Sequence, residues 1–177
     1  MSTITDRRKD FIGYEYKDIN VTRETEAMYV DAYENFGWSF EDRQTSHIGI
    51  NSVNLKFKRD RKIRNKAELT RLQRQFDAYV SEITRLERSK AASASVVAYT
   101  VGIIGCAFLA GATFSYLAGS IILCVILAIP GFAGWILPYF LYNSTYAKKT
   151  EQVTPLIETK YDEIYDICER ANSLLGN

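Results

Sequence analysis

The chain has 177 residues, 22 of them Lys or Arg, 21 Asp or Glu and one His, for a net charge of +1. That average resembles an ordinary soluble domain, but the 57 residues from Ala91 to Ala147 hold no Asp, Glu, Lys, Arg or His. Charge segregated this sharply excludes a simple globular chain and points to a membrane-embedded middle.

In chain order, residues 1–12 read as disordered, and no apolar run of signal-peptide length opens the chain, so no cleaved secretory signal is expected. Residues 13–60 read as a small α+β head of order βαββ. The first strand is Tyr14 to Val21, whose apolar alternation slips between Tyr16 and Ile19; a bulge would explain the slip. Glu24 to Phe36 reads as an amphipathic helix with Met28, Tyr29, Ala32, Tyr33 and Phe36 on one face, and Gly37 just past its end. Trp38 and Phe40 alternate on a second strand. Val53, Leu55 and Phe57 alternate on a third, with Asn54, Lys56 and Lys58 facing away.

Asn65-Lys-Ala-Glu68 has the form of a helix start, Asn65 as N-cap and Glu68 three residues on. Leu69, Leu72, Phe76, Tyr79, Ile83 and Leu86 then follow a 3-4-3-4-3 heptad spacing. The expected element is a stalk helix over 65–90, continuous with a first span over 94–114. A second span is expected over 121–142, with the turn in Ser115 to Ser120. Basic residues flank both outer ends of this hairpin (Arg85, Arg88 and Lys90; Lys148 and Lys149) and none lies in the turn. The positive-inside rule then puts both termini in the cytoplasm, in the plasma or cell membrane. The sequons Asn20-Val-Thr22 and Asn143-Ser-Thr145 fall on that inner side.

Small residues at Ala94, Ala98, Gly102, Cys106 and Ala110 recur every four positions. They form a packing stripe that would join either the two spans or neighbouring copies. Pro130 and Pro138 free the carbonyls of Ile126 and Gly134 and are expected to kink the second span. Thr154-Pro155 reads as the start of a C-terminal stalk helix over 155–175. Its seam is Ile157, Tyr161, Ile164, Cys168, Ala171 and Leu175. An antiparallel pairing with the first stalk helix sets Leu69 against Cys168, Phe76 against Tyr161 and Ile83 against Thr154. Net charges of opposite sign on the two helices favour that contact. An intermolecular coiled coil is the competing arrangement.

Tyr14-Glu-Tyr-Lys17, Gly37-Trp38 with Glu41, and the basic ending of the strand from Leu55 to Arg59 resemble the small βαββ modules of unknown function that share these features. The resemblance covers residues 14–59 and implies no activity. The uncharged half resembles no family of assigned role.

Cys106, Cys124 and Cys168 match neither a disulfide framework nor a zinc site, and His47 stands alone in a polar stretch read as a hairpin loop. No phosphate-binding loop, dinucleotide turn or nucleophile elbow is present. An enzyme is therefore not expected, and neither is a metal, a cofactor or a small-molecule substrate. The candidate interaction face is the basic run Lys56, Lys58, Arg59, Arg61, Lys62 and Arg64. Nucleic acid is not its expected partner, for want of interleaved aromatics. The expected partners are the lipid bilayer and either further copies of this chain or another membrane protein. The function expected is that of a non-catalytic tether, scaffold or sensor. A small oligomeric channel, or an accessory subunit of a larger membrane complex, is the alternative.

Overall fold

A computed structural model describes residues 12–45 and 51–176. The disorder expected for residues 1–12, apart from Ile12, and the loop reading of His47 lie outside the described residues. The elements are β1 (Tyr14–Thr22), α1 (Glu26–Asn35), β2 (Ser39–Thr45), β3 (Ser52–Asp60), α2 (Lys66–Leu117) and α3 (Ile121–Leu175). The chain divides into two compact units. One holds residues 1–79 and 162–177, the other residues 80–161. Both long helices contribute to each unit.

In the first unit the three strands form an antiparallel sheet of order β1-β3-β2. The βαββ order matches the sequence reading, but the expected bulge in β1 is absent. β1 pairs with β3 in unbroken register from Tyr14↔Asp60 to Thr22↔Ser52. The irregularity lies in β2, between Phe40 and Asp42. The alternation in β1 does not slip. Its inner face is Glu15, Lys17, Ile19 and Val21, and Tyr14 and Tyr16 point out.

The inner face of β3 (Val53, Leu55, Phe57) and α1 enclose the core with Trp38 and the first turns of α2. Tyr33 and Phe36 are fully buried, and Phe76 of α2 meets Tyr29, Tyr33 and Phe36 with ring centroids 5.4, 6.2 and 5.7 Å away. A small sheet of this size has little core of its own; the aromatic wedge from α2 supplies the missing layer. α1 ends in a Schellman motif. Gly37 N–H donates to Glu34 O and Trp38 N–H to Tyr33 O, with Gly37 at φ +80°. Ile63 and Leu175 crowd the space where a Cβ on Gly37 would stand.

Asn65 does sit at the N-cap position, its carbonyl accepting from Leu69 N–H, but at φ 54°. Its side-chain amide is turned to Leu174 O (3.3 Å), and Glu68 pairs with Arg71. The capping box read from the sequence is thus replaced by a link between the start of α2 and the end of α3.

In the second unit α2 and α3 pack as a hairpin. Its turn is only Ala118-Gly119-Ser120. Gly119 at φ +79° closes a second Schellman motif: Gly119 N–H donates to Tyr116 O and Ser120 N–H to Ser115 O. The carbonyl of Ser120 then accepts the first bond of α3, from Cys124 N–H. Both helices are long and apolar enough to cross a membrane. The second span and the C-terminal stalk helix expected as separate elements are one helix, with Pro130, Pro138 and Pro155 inside it. Thr154 does not start a helix; its hydroxyl donates back to Thr150 O (2.8 Å).

Candidate functional site

The candidate basic face begins on β3, where alternation splits it. Lys56 and Lys58 lie on the outer side of the sheet, whereas Arg59 shares the inner parity of Leu55 and Phe57 and is 4% exposed. The outer lysines are met by acids. Lys56 stands between Asp18 on β1 and Asp42 on β2 in the strand register. Lys58 donates to Glu41 (2.8 Å) and lies 5.8 Å from the Tyr14 ring; the Glu41 carboxylate holds the Lys58 ammonium above its ordinary pKa. Arg61, Lys62 and Arg64 follow in the exposed turn between β3 and α2. Their backbone is set by Arg61 N–H to Gly13 O and Lys62 N–H to Asp60 Oδ1. The six residues are therefore not one surface. The exposed part is Arg61, Lys62 and Arg64 of the turn, beside a sheet face of mixed charge.

Arg59 instead centres an inner polar network. Its Nε donates to Glu15 Oε1 (2.6 Å), one terminal nitrogen reaches Phe36 O (3.3 Å), and the guanidinium stacks 4.3 Å over Trp38. Lys66 donates to the other oxygen of Glu15 (2.6 Å). Burial pushes the Glu15 pKa up, but the hydrogen bonds and charges of Lys66 and Arg59 outweigh it and hold the carboxyl below the usual range. Trp38 Nε1 donates to Gln73 Oε1 (2.9 Å). Lys17 donates to the Tyr33 hydroxyl (2.9 Å), which donates to Asp77 Oδ1 (3.1 Å). Burial, followed by the Asp77 charge, pushes the Tyr33 hydroxyl pKa far up and that of Tyr29 to about 12.

A cavity of about 250 Å³ borders this network, lined by Glu15, Lys17, Trp38, Arg59, Gln73 and Asp77 among others. Among the described residues, no buried side-chain nitrogen or oxygen lacks a partner, and no three His, Cys, Asp or Glu gather as a metal site. The network is closed on itself and fastens the sheet to α2. Glu15 and Lys17 enter the sequence reading only within the Tyr14-Glu-Tyr-Lys17 motif, and Gln73 and Asp77 not at all. The signal was present in parity: Glu15 and Lys17 share the face of Ile19 and Val21, and Gln73 and Asp77 follow Leu69 at helical spacing.

The stalk residues divide in a similar way. Leu69, Leu72, Phe76 and Ile83 are buried and Tyr79 half-buried on α2, joined by Val80. On α3, Ile157 and Ile164 are buried and Cys168 half-buried, its thiol pKa raised by burial. Tyr161 is not in the seam; it is 45% exposed. The buried line is Val153, Ile157, Ile164, Ile167 and Ala171, with Lys160 between Ile157 and Ile164. Lys160 fits because it pairs with Glu82 (3.5 Å) while its stem covers apolar surface. The helices are shifted from the expected register. Asn65, expected opposite Asn172, bonds to Leu174.

Between Ala91 and Ala147 the close approach is also displaced from the expected stripe. Gly105 faces Gly134, and a Cβ on either would come within 2.8 Å of the other's Cα. Leu109 fills the space beside Gly131. Ala94 is buried and Ala98 half-buried, but Cys106 and Ala110 are exposed and a Cβ on Gly102 would meet nothing within 4 Å. No known protein family, curated protein or solved structure matches the chain, so the likeness of residues 14–59 to βαββ modules rests on its short motifs and strand order.

Proposed function

We propose that the chain is a two-pass integral membrane protein with both termini cytoplasmic, and that its head and stalk act as a non-catalytic tether or scaffold through protein–protein contacts. One observation carries this reading: the uncharged hairpin is bare. Only 11% of the most apolar window of each long helix is buried, and Ile103, Phe114, Ile122 and Trp135 are 60–80% exposed. The core helix of a soluble protein would be mostly covered. Leaving this much contiguous apolar surface in water is unfavourable by about 25 cal/mol per Å². Lipid covers it at no such cost. The basic residues at both outer ends of the hairpin, and their absence from the Gly119 turn, support the orientation.

The test is fractionation followed by topology mapping. The full chain should stay with membranes through alkaline carbonate and be released by detergent. In a background with Cys106, Cys124 and Cys168 replaced, a membrane-impermeant maleimide applied to intact cells should label Ala118→Cys and leave Ser173→Cys unlabelled. Release by carbonate refutes the membrane reading, and the reverse labelling refutes the orientation. For the contact role, reversing Arg61, Lys62 and Arg64 to Glu should remove a stoichiometric partner that co-purifies with the wild-type chain. Unchanged recovery of that partner counts against the turn as the contact.

A further inference from the structure

The outer faces of the stalk carry opposite charge. On α2 the positions two residues beyond the buried seam lie about 200° around the helix, facing away from it. They are Arg71, Arg74, Ala78, Ser81, Arg85 and Arg88, all exposed and in 3-4-3-4-3 spacing. On α3 the corresponding outer line is Glu151, Pro155, Glu158, Asp162, Tyr165 and Glu169, all exposed and in 4-3-4-3-4 spacing. One line carries four cations and no acid; the other carries four acids and no cation. Arg71 pairs with Glu68 on its own helix, and an ion pair that joins the two helices, Lys160 with Glu82, has the opposite polarity.

We infer that the α2 basic face of one copy docks on the α3 acidic face of the next, side by side in the membrane. The inference rests on the membrane reading, because a bilayer holds every copy at the same depth and in the same orientation. Matching charges must then lie at the same level, and they do. In the first unit Asn65 is joined to Leu174. Nine residues inward along each helix stand Arg74 and Tyr165, the latter 71% exposed, with Asp162 and Glu169 one turn to either side. In the second unit Glu82 faces Lys160. Three residues further toward the uncharged segment on α2 comes Arg85, and two residues further on α3 comes Glu158. The small Ala78 leaves open surface beside Arg74 on this face. Tyr165 of the neighbour lies over Ala78 and stacks on Arg74. The two faces differ, so the contact is head-to-tail and builds a ring or an open row.

The test is subunit counting in lipid nanodiscs or vesicles across protein concentration. Wild-type protein should be oligomeric. Arg74→Glu with Arg88→Glu, and separately Glu151→Arg with Asp162→Arg, should each weaken association about tenfold or more, since two of the four charges on one face then repel the other. Mixing the two variants should restore it, because each then meets the complementary face of the other. Circular dichroism and Trp fluorescence show whether the variants keep the fold, and restoration on mixing is itself a readout that an unfolded variant cannot give. Monomers at all concentrations, association unmoved by either reversal, or loss without rescue on mixing overturns the inference. Loss of membrane retention overturns the membrane reading and this inference with it. Retention with any of those three results overturns the inference alone.

Discussion

Replacing Glu15 by Gln tests whether the inner network fastens the head. The change keeps the shape of the side chain and removes its charge. Arg59, 4% exposed, is left with a neutral acceptor, Phe36 O at 3.3 Å and the face of Trp38. Breaking a fully buried ion pair from one side costs about 3–5 kcal/mol. Glu15 is 25% exposed and Lys66 40%, so water offsets part of this, and a loss of about 2–3 kcal/mol is expected. Denaturant unfolding of the full chain in mild detergent, followed by Trp38 fluorescence in a Trp135→Phe background, measures it. The wild-type protein should also lose stability in acid. The folded pKa of Glu15 is depressed, so its contribution is present above the unfolded value near 4.5 and disappears as pH falls through the lower folded value. The Gln variant should lack that part of the acid transition. A change below about 0.5 kcal/mol, the range of an ordinary surface substitution, would refute the claim that this pair holds the sheet to α2.

Three further outcomes follow from the same geometry. Gly37→Ala should destabilise the head by about 2–3 kcal/mol in the same assay, because the position needs φ +80° and the new Cβ would overlap Ile63 Cδ1. Alkaline titration followed at 295 nm should show two tyrosines that ionise only with unfolding. The folded pKa values of Tyr33 and Tyr29 are raised, so their contribution is intact below the unfolded value near 10 and is lost as pH climbs through the folded ones. Gly134→Leu should weaken the hairpin by about 1–3 kcal/mol or more, since backbone atoms of Gly105 occupy the space. Gly102→Leu, with nothing near it in the chain, should be close to neutral for intramolecular packing. Proteolysis of both variants in detergent, read at the Ala118–Ser120 turn, separates them.

The order of strands and helices was legible because each element announces its period: two in Val53, Leu55 and Phe57, and alternating three and four in Leu69, Leu72 and Phe76. What misled was polarity at inner positions. In β1 the apolar Tyr16 and Ile19 fall out of step, which reads as a bulge, but the charged Glu15 and Lys17 share the inner face with Ile19. They face inward because Arg59 and Asp77 meet them. Arg59 looked like one more member of a basic run, although strand parity with Phe57 placed it inside. The C-terminal seam reads through Tyr161, whereas the inner position is Lys160; its carboxylate partner sits on the other helix, which no local pattern reveals. In each case an inward-facing charge is met by a partner far away in the chain. Pro155 misled for another reason. A Thr-Pro pair has the form of a helix start, yet the helix runs on through Pro155.

The glycine contact in the uncharged segment shows why a stripe repeating every four residues is the wrong template for two long helices in antiparallel contact. At 100° per residue, four residues turn the helix by about 400°, so each step moves the stripe about 40° around it. From Ala94, the positions Ala98, Gly102, Cys106 and Ala110 drift by about 160° in total, and the last two end up exposed. Alternating steps of four and three cancel most of that drift. Starting again from Ala94, they pass through Ala98, Val101, Gly105 and Phe108 and reach Ala112. Ala94, Gly105 and Ala112 are buried, Ala98 and Val101 half-buried, and Phe108 alone of the six is exposed. This is also the spacing of the seam that runs from Leu69 to Ile83 outside the uncharged segment. Steps of three and four therefore describe most of the buried positions of α2 in both units. Only the residue chosen changes: Leu and Phe where burial from water drives the contact, Gly and Ala where close backbone approach must supply it.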